Sequence, residues 1–192
     1  MTMNILTGQP IDKAAFIAWS AETEARCELV AGYVVEVPRV TRGHALVVGN
    51  VLFYLHKLLD RRRWATLKNF GLDAGSDTVR YPDVVVDRAG GNGTDYTATA
   101  PALLIEVLSP ETAATDLGDK VAEYLRLPTL LAYIVLSEDE PKAWARMRAS
   151  VADKFPPPPR IFAGRDAIIH VAPLQLDLPL AEMYADIEIS GS

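Results

Sequence analysis

The sequence predicts an α/β fold in a single domain, with one central mixed β-sheet flanked by helices. The runs "DVVVD", "ALLIEV" and "LLAYIVL" are almost continuously apolar, as expected of strands that are covered on both faces. Segments 42–61 and 116–127 instead repeat their apolar residues at helical spacing. The alternation of these two patterns favours helices packed against a sheet.

Each element follows from a local signal. Asp12 is a suitable N-cap for an amphipathic helix over 12–25. "CELVAGYVVEVP" predicts a hairpin that turns at Ala31-Gly32. Strands are predicted in "WATLKNFGLD", "YPDVVVD", "ALLIEVLS", "LLAYIVLS" and "KAWARMR". Residues 89–100 are expected to form a loop, and the four prolines at 156–159 a stiff surface connection.

The most regular helical pattern runs from Arg42 to Arg61. Its apolar positions are Val47, Val48, Val51, Leu52, Leu55, Leu58 and Leu59. The shorter helix is expected to begin at Asp116, with Leu117, Val121, Tyr124 and Leu125 as its buried stripe.

Composition limits the class of protein. The 192 residues are 49% hydrophobic, which is enough for one folded domain with its own core. The net charge of −6 argues against a dedicated non-specific nucleic-acid binder, which usually carries a basic excess. It does not argue against a nuclease, because bound cations neutralise clustered carboxylates.

Cysteine usage and the N-terminus indicate the compartment. The single cysteine, Cys27, cannot form an intrachain disulfide, which favours a reducing environment. "MTMNILTGQP" has no signal-peptide pattern, and no apolar stretch reaches the ~18 residues of a membrane-spanning helix. We therefore expect a cytoplasmic protein.

The common catalytic motifs are missing from the sequence. It contains no phosphate-binding G-x-x-x-x-G-K-[ST] loop, no H-E-x-x-H, no G-x-S-x-G and no C-x-x-C pair. The three histidines are scattered without the spacing of metal ligands. Carboxylates are therefore the main candidates for chemistry.

Two carboxylates stand beside apolar strands. Asp83 follows Pro82 at the start of one predicted strand, and Glu106 lies near the end of the next. A charge in such a run costs several kcal/mol unless it is compensated. If the two strands are neighbours, both acids reach the same end of the sheet and can bind a hard cation such as Mg²⁺ or Mn²⁺.

Lys120 lies on the helix after Glu106, at the edge of the buried stripe. Its aliphatic stem could lie along the sheet while its ammonium reaches the carboxylate end. Tyr124, one turn further, is expected to be a core residue.

The pattern "YPD", then "EVL", then a lysine resembles the PD-(D/E)XK, or restriction-endonuclease-like, nuclease superfamily. More narrowly, the sequence resembles the Uma-type family of restriction endonucleases, through "CELVAGYVVEV", "RGHALVVGNVLFYL", "VRYPDVVV" and "LLIEVLSPETAATDLGDKVAEYLRLP". "IEVLSP" followed by D-x-x-x-K-x-x-x-Y is its most distinctive part. The resemblance covers about 12–140, the expected core of a domain spanning 1–192, with C-terminal strands and a tail in 141–192.

The resemblance implies a fold, a reaction and a set of site residues. It implies a restriction-endonuclease-like fold, hydrolysis of phosphodiester bonds in DNA, Mg²⁺ or Mn²⁺ as cofactor, and a possible homodimer. Asp83 and Glu106 correspond to the metal ligands, Lys120 to the catalytic cation, and Glu28 to an additional acid. The superfamily's usual lysine, two positions after the acid, is Leu108 here, so Lys120 has to supply that charge.

Ordinary structural roles remain open for these residues. Asp83 could be a strand-entry residue, Glu106 an edge-strand acid facing water, and Lys120 a surface lysine paired with Asp116 or Glu123. His44 is expected to be a packed histidine, although the family resemblance implies a position near the cleft. Arg61, Arg62 and Arg63 could contact DNA or simply complement the dipole at a helix end.

Two other functions also remain open. The first is a catalytically inactive nuclease-like module that binds nucleic acid or a protein partner. The second is a different metal-dependent phosphohydrolase on the same scaffold.

Overall fold

A computed structural model describes residues 8–108 and 118–187. Its helices are α1 (Lys13–Ser20), α2 (Arg42–Leu58), α3 (Asp119–Tyr124) and α4 (Leu180–Met183), with a 3₁₀ turn at Ala172–Leu174. Its first strands are β1 (Cys27–Val30), β2 (Tyr33–Glu36), β3 (Trp64–Lys68), β4 (Gly71–Gly75), β5 (Thr78–Arg80) and β6 (Val84–Arg88). The later strands are β7 (Thr97–Ala98), β8 (Pro101–Leu108), β9 (Ala132–Ser137), β10 (Lys142–Met147), β11 (Arg160–Ala163), β12 (Ile168–Val171) and β13 (Leu176–Pro179).

The strands of the described residues form two main sheets and a hairpin. The six-stranded sheet has the order β11-β10-β9-β8-β6-β3, and the five-stranded sheet has the order β2-β1-β5-β4-β7. Both are mixed, since β8 runs parallel to β9 and β4 parallel to β7 while the other pairs are antiparallel. Strands β12 and β13 pair with each other. The predicted mixed α/β class is confirmed, but the strands form separate sheets instead of one.

The six-stranded sheet is covered on both faces, as its apolar runs predict. Val84 and Val86 of β6 pack into the cluster that contains the buried face of α2 and the C-terminal strands. Val85, between them, points into a second cluster with Tyr124 of α3. The strict alternation of strand side chains therefore assigns Leu104 and Glu106 of β8 to the α3 side.

One predicted strand is divided between the two sheets. "WATLKNFGLD" forms β3 in the six-stranded sheet and β4 in the five-stranded one. Asn69 lies at the break with φ 46°, a left-handed conformation that asparagine tolerates better than most residues. Sequence periodicity does not reveal this change of sheet, because both halves have strand propensity.

Helix limits differ from those predicted. Helix α1 begins after the expected N-cap Asp12, whose side chain accepts a hydrogen bond from the Ala15 amide, but it ends at Ser20. Helix α2 ends at Leu58, which is 47% exposed and not part of the buried stripe. The three arginines at 61–63 therefore lie in a turn beyond the helix. The predicted cap Asp116 lies outside the described residues.

The loop predicted over 89–100 contains the short strand β7, and the four prolines connect β10 to β11 at the surface. In the described part of the chain, no helix combines the length and apolar character needed to cross a membrane.

Candidate active site

The register between β6 and β8 brings the two predicted acids together. Val84 pairs with Ile105 in this antiparallel ladder, so Asp83 and Glu106, which adjoin that pair, lie beside each other. The Asp83 amide donates to Oε2 of Glu106 over 3.3 Å. The Val107 amide donates to Oδ2 of Asp83 over 2.9 Å. Each acid is thus held by backbone from the other's segment.

Both acids are almost completely buried at the bottom of a cleft. Asp83 is 7% exposed and Glu106 is 3% exposed. Strand β8 lies between β6 and β9, so the interpretation of Glu106 as an edge-strand acid facing water is wrong. Its charge is compensated by the ammonium of Lys120.

Two side chains of the α3 segment contact the same oxygen of Glu106. The Lys120 ammonium donates to Oε1 over 2.9 Å, and the Tyr124 hydroxyl donates to that oxygen over 3.1 Å. One helical turn separates the two donors, so both project from one face of α3. Burial and then the Glu106 charge raise the pKa of the Tyr124 hydroxyl well above its usual value, which keeps it a donor.

Helix α2 supplies the contact on the other acid. Its N-terminus places His44 Nε2 3.0 Å from Oδ1 of Asp83. Thr41 caps the helix by accepting from the His44 amide, which orients the first turn. His44 is 7% exposed, and its Nδ1 has no hydrogen-bond partner among the described residues. His44 is therefore packed, as expected, and it also contacts a predicted site residue.

Strand β1 contributes Glu28 to the opposite wall. Its Oε1 lies 4.0 Å from the Lys120 ammonium, so Lys120 sits between Glu28 and Glu106. Oε1 of Glu28 also accepts from the Tyr81 amide, and Oε2 accepts from Arg80. Glu28 is 6% exposed, and these contacts hold it against the lysine.

Arg80 links Glu28 to the helix behind Lys120. Its guanidinium donates to Glu28 over 2.9 Å and to both carboxylate oxygens of Glu123 over 2.7 Å. Burial alone would lower the pKa of Arg80, but the hydrogen bonds to Glu123 and Glu28 raise it above its usual range. Arg80 is therefore a permanent cation in the wall of the site.

The electrostatics of Glu28 follow from these neighbours. Burial raises the pKa of its carboxyl, but the Lys120 ammonium and the Arg80 guanidinium outweigh burial and hold that pKa below its usual range. Hydrogen bonds from Arg80 and from the Tyr81 amide act in the same direction. Glu28 is thus ionised at neutral pH.

The buried charges of the site do not cancel among themselves. In the described residues, the buried ion-pair network has four carboxylates and two cations, a formal excess of two negative charges before the exposed Arg26 and Arg39 of the same cleft are counted. Buried charges are generally paired or coordinate a metal, so an excess of buried carboxylates is compatible with a bound cation. The carboxylates are Asp83, Glu106, Glu28 and Glu123, and the cations are Lys120 and Arg80.

The donor set suits a particular type of metal site. Within residues 8–108 and 118–187, no three or more His, Cys, Asp or Glu side chains are arranged as a complete metal-binding cluster. Mg²⁺ is commonly held by one or two carboxylates, with water and substrate phosphate completing its shell. Asp83 and Glu106 fit that partial, oxygen-only set.

Most residues singled out in the sequence line one cleft. Asp83, Glu106, Lys120, Glu28 and His44 all face it. In place of a lysine at Leu108, the ammonium next to Glu106 comes from α3. Asp116, an alternative partner for Lys120, lies outside the described residues. The other alternative, Glu123, pairs with Arg80.

Two members of the site were not recognised from sequence. Tyr124 is in the core as expected, yet its hydroxyl reaches Glu106; its position four residues after Lys120 was the available signal. Arg80 carries no motif, and only its place three residues before Asp83 connects it to the site. Arg61, Arg62 and Arg63 follow the far end of α2 and do not line the cleft.

Comparison with known proteins gives a family and a matching fold. The model of the Uma2 family, described as putative restriction endonuclease, matches residues 14–161. An uncharacterized protein of Synechocystis, sll1609, is 25% identical over 145 residues, which cover 71% of this chain and 80% of that protein. A crystal structure of a putative nuclease belonging to DUF820 from Anabaena variabilis has a TM-score of 0.72 and 18% identity, and the match covers 92% of this chain and 98% of that one.

Proposed function

This chain belongs to the Uma2 family, and on that premise we propose that it is a metal-dependent endonuclease that hydrolyses phosphodiester bonds in DNA. One observation carries the proposal: Asp83, directly before β6, and Glu106 of β8 lie side by side in a cleft, where Glu106 accepts from the Asp83 amide and Asp83 accepts from the Val107 amide. The family description supports a nuclease-like function. The metal, the DNA substrate and the roles of individual residues are our proposals.

Asp83 and Glu106 would hold the divalent cation, Mg²⁺ or Mn²⁺. When bound, the cation supplies positive charge that activates water for attack and neutralises the phosphate. The cross-strand backbone bonds keep the two carboxylates side by side, and His44 restrains Asp83 through Oδ1. This chain therefore provides a prearranged pair of oxygen ligands.

Lys120 would stabilise charge at the phosphate. Its ammonium is buried between Glu106 and Glu28, so little water screens it from a phosphate entering the cleft. Charge placed in advance where negative charge develops is a large contribution to catalysis. Glu28 and Arg80 act through Lys120 as positioning residues, because they restrict the ammonium to the cleft.

The direct test is cleavage of supercoiled plasmid DNA by the purified protein with Mg²⁺ or Mn²⁺. We expect nicking by the wild type, and none by Asp83→Asn or Glu106→Gln. Asp177→Asn, an exposed acid on the β12–β13 hairpin, is the matched control and should cleave normally. Cleavage at the wild-type rate by either cleft variant would refute the assignment, as would a wild type that never cleaves.

A second candidate is an inactive nuclease-like module that binds nucleic acid or a protein partner. It is favoured by the fact that all four carboxylate oxygens of Asp83 and Glu106 already have protein donors or partners. Titration calorimetry with Mn²⁺ separates the two candidates. DNA binding without any Mn²⁺ binding would support the inactive module. The homodimer, the cytoplasmic location and the domain limits stay predictions.

A further inference from the structure

We propose that Arg26 and Arg39 form a phosphate clamp at the mouth of the cleft, which holds the DNA backbone beside the buried carboxylates. The inference rests on the proposed function in one respect, the choice of DNA as the ligand. Both arginines line the same cleft as Asp83, Glu106 and Lys120, although they are distant from these residues in sequence.

The β1–β2 hairpin places the two arginines at its open end. Arg26 immediately precedes β1 and lies two residues before Glu28, so the alternation of a strand directs both side chains to the same face. Glu28 is buried in the wall, and Arg26 is exposed at the mouth.

The second arginine follows the partner strand. The Val37 amide donates to the Arg26 carbonyl over 2.8 Å, which extends the hairpin pairing beyond β2. Arg39 lies two residues after Val37, and both line the cleft. Pro38, between them, has a restricted φ and limits the freedom of this part of the rim.

The two arginine side chains have no ion-pair partner among the described residues. Neither side chain forms an ion pair or hydrogen bond with a described residue, and both are exposed. Arg80 provides the contrast, because it is buried and bonded to two carboxylates. A structural role explains Arg80 but not Arg26 or Arg39.

Arg26 and Arg39 would offset the repulsion between the carboxylates of this cleft and a DNA backbone. The chain carries a net charge of −6, and the buried lining of the cleft has three carboxylates, Glu28, Asp83 and Glu106, against the single cation Lys120, so a DNA backbone would be repelled without further positive charge nearby. Arginine suits this position, since its planar guanidinium binds phosphate through two parallel hydrogen bonds. The clamp would contact phosphates next to the one being cleaved, and it carries no base specificity.

The test is the salt dependence of DNA binding, measured with a short fluorescent duplex in EDTA so that cleavage is not required. Each phosphate contact contributes about 0.9 to the slope of log K against log salt. The double variant Arg26→Gln/Arg39→Gln should bind more weakly, with a slope reduced by about 2. Arg61→Gln/Arg62→Gln, at the far end of α2, is the matched control and should match the wild type.

Thermal unfolding checks that each variant is folded. If the double variant does not fold, the single variants Arg26→Gln and Arg39→Gln replace it, and each should reduce the slope by about 1. An unchanged slope in the double variant, an equal loss in the control, or no DNA binding by the wild type would each overturn the clamp. The result is separable from the proposed function. If the wild type never nicks DNA but the double variant binds DNA more weakly, the clamp is supported and the nuclease is rejected. If the wild type nicks DNA but the double variant keeps the salt slope of the wild type, the nuclease is supported and the clamp is rejected.

Discussion

The ammonium of Lys120 lies 2.9 Å from Oε1 of Glu106, although the two residues are separated by 14 positions and belong to different elements. A lysine two positions after the acid would have occupied the same face of the same strand. Here Leu108 takes that position, at the half-buried end of β8. Helix α3 packs over the strand and brings the cation to the acid from above the sheet.

The first prediction concerns this cation. Lys120→Met keeps most of the aliphatic stem but removes the ammonium, so cleavage should slow by about 100-fold or more. Mn²⁺ binding, measured by calorimetry, should persist because Asp83 and Glu106 remain. Lys57→Met, on the last turn of α2, is the control and should cleave like the wild type. Equal rates for Lys120→Met and the wild type would contradict the proposed role.

The second prediction concerns the histidine on Asp83. His44→Ala removes the partner of Oδ1 and leaves only the Val107 amide to orient Asp83, so Mn²⁺ affinity should fall by about 10–100-fold. His56→Ala removes an exposed histidine from the same helix and should leave the affinity unchanged. If both variants bind Mn²⁺ like the wild type, His44 has a packing role alone.

The third prediction concerns stability. Arg80→Met leaves Glu28 and Glu123 without their shared partner in a buried setting, which should lower the free energy of unfolding by about 3–5 kcal/mol. Lys142→Met breaks an exposed pair with Glu140 and should cost at most about 1 kcal/mol. Urea unfolding followed by circular dichroism measures both. A loss in Arg80→Met no larger than in the control would show that the Arg80 pairs do not stabilise the fold.

The fourth prediction concerns acid stability. The pKa of Glu28 is lower in the folded chain than in the unfolded one, where it is about 4.3. As the pH falls below the unfolded pKa, the Glu28 carboxyl is protonated in the unfolded state before it is protonated in the folded state. The free energy of unfolding therefore rises with pH between the two pKa values, and the contribution of Glu28 is lost as the pH falls through the folded pKa. Glu28→Gln should therefore lose less stability than the wild type on acidification from neutral pH.

The control for this experiment is Glu24→Gln, an exposed acid before β1. Urea unfolding at a series of pH values should give the wild-type acid dependence for this variant. An identical acid dependence for Glu28→Gln would show that Glu28 does not contribute to stability through its ionisation.

Several parts of the site could be recognised from sequence because their signals are local. Asp83 and Glu106 stand out as acids beside apolar strands, and Lys120 as a cation at the edge of a helical stripe. His44 and Tyr124 look like ordinary packed residues, and their side chains are indeed buried. The sequence does not reveal that His44 Nε2 contacts Asp83 or that the Tyr124 hydroxyl contacts Glu106. These contacts depend on how α2 and α3 pack against opposite faces of the sheet.

For the fold, too, local features could be predicted from the sequence and long-range ones could not. The apolar runs of β6, β8 and β9 and the periodicity of α2 are properties of short segments, and the mixed α/β class follows from them. The split of 64–73 at Asn69 and the pairing of β1 with β5 depend on long-range contacts that local propensity does not encode.

The amino-acid order by itself indicated the main strands and helices around the site, the apolar face of α2, and the acids that stand at the ends of buried strands. Tertiary structure alone decided that β6 and β8 pair in the register that sets Asp83 beside Glu106, that α2 and α3 each bring a polar side chain to these acids, and that Glu28 of β1 reaches Lys120. The physical reason is that propensity and periodicity act over a few neighbouring residues, whereas hydrogen bonds and ion pairs act over a few ångströms between segments that only packing brings together.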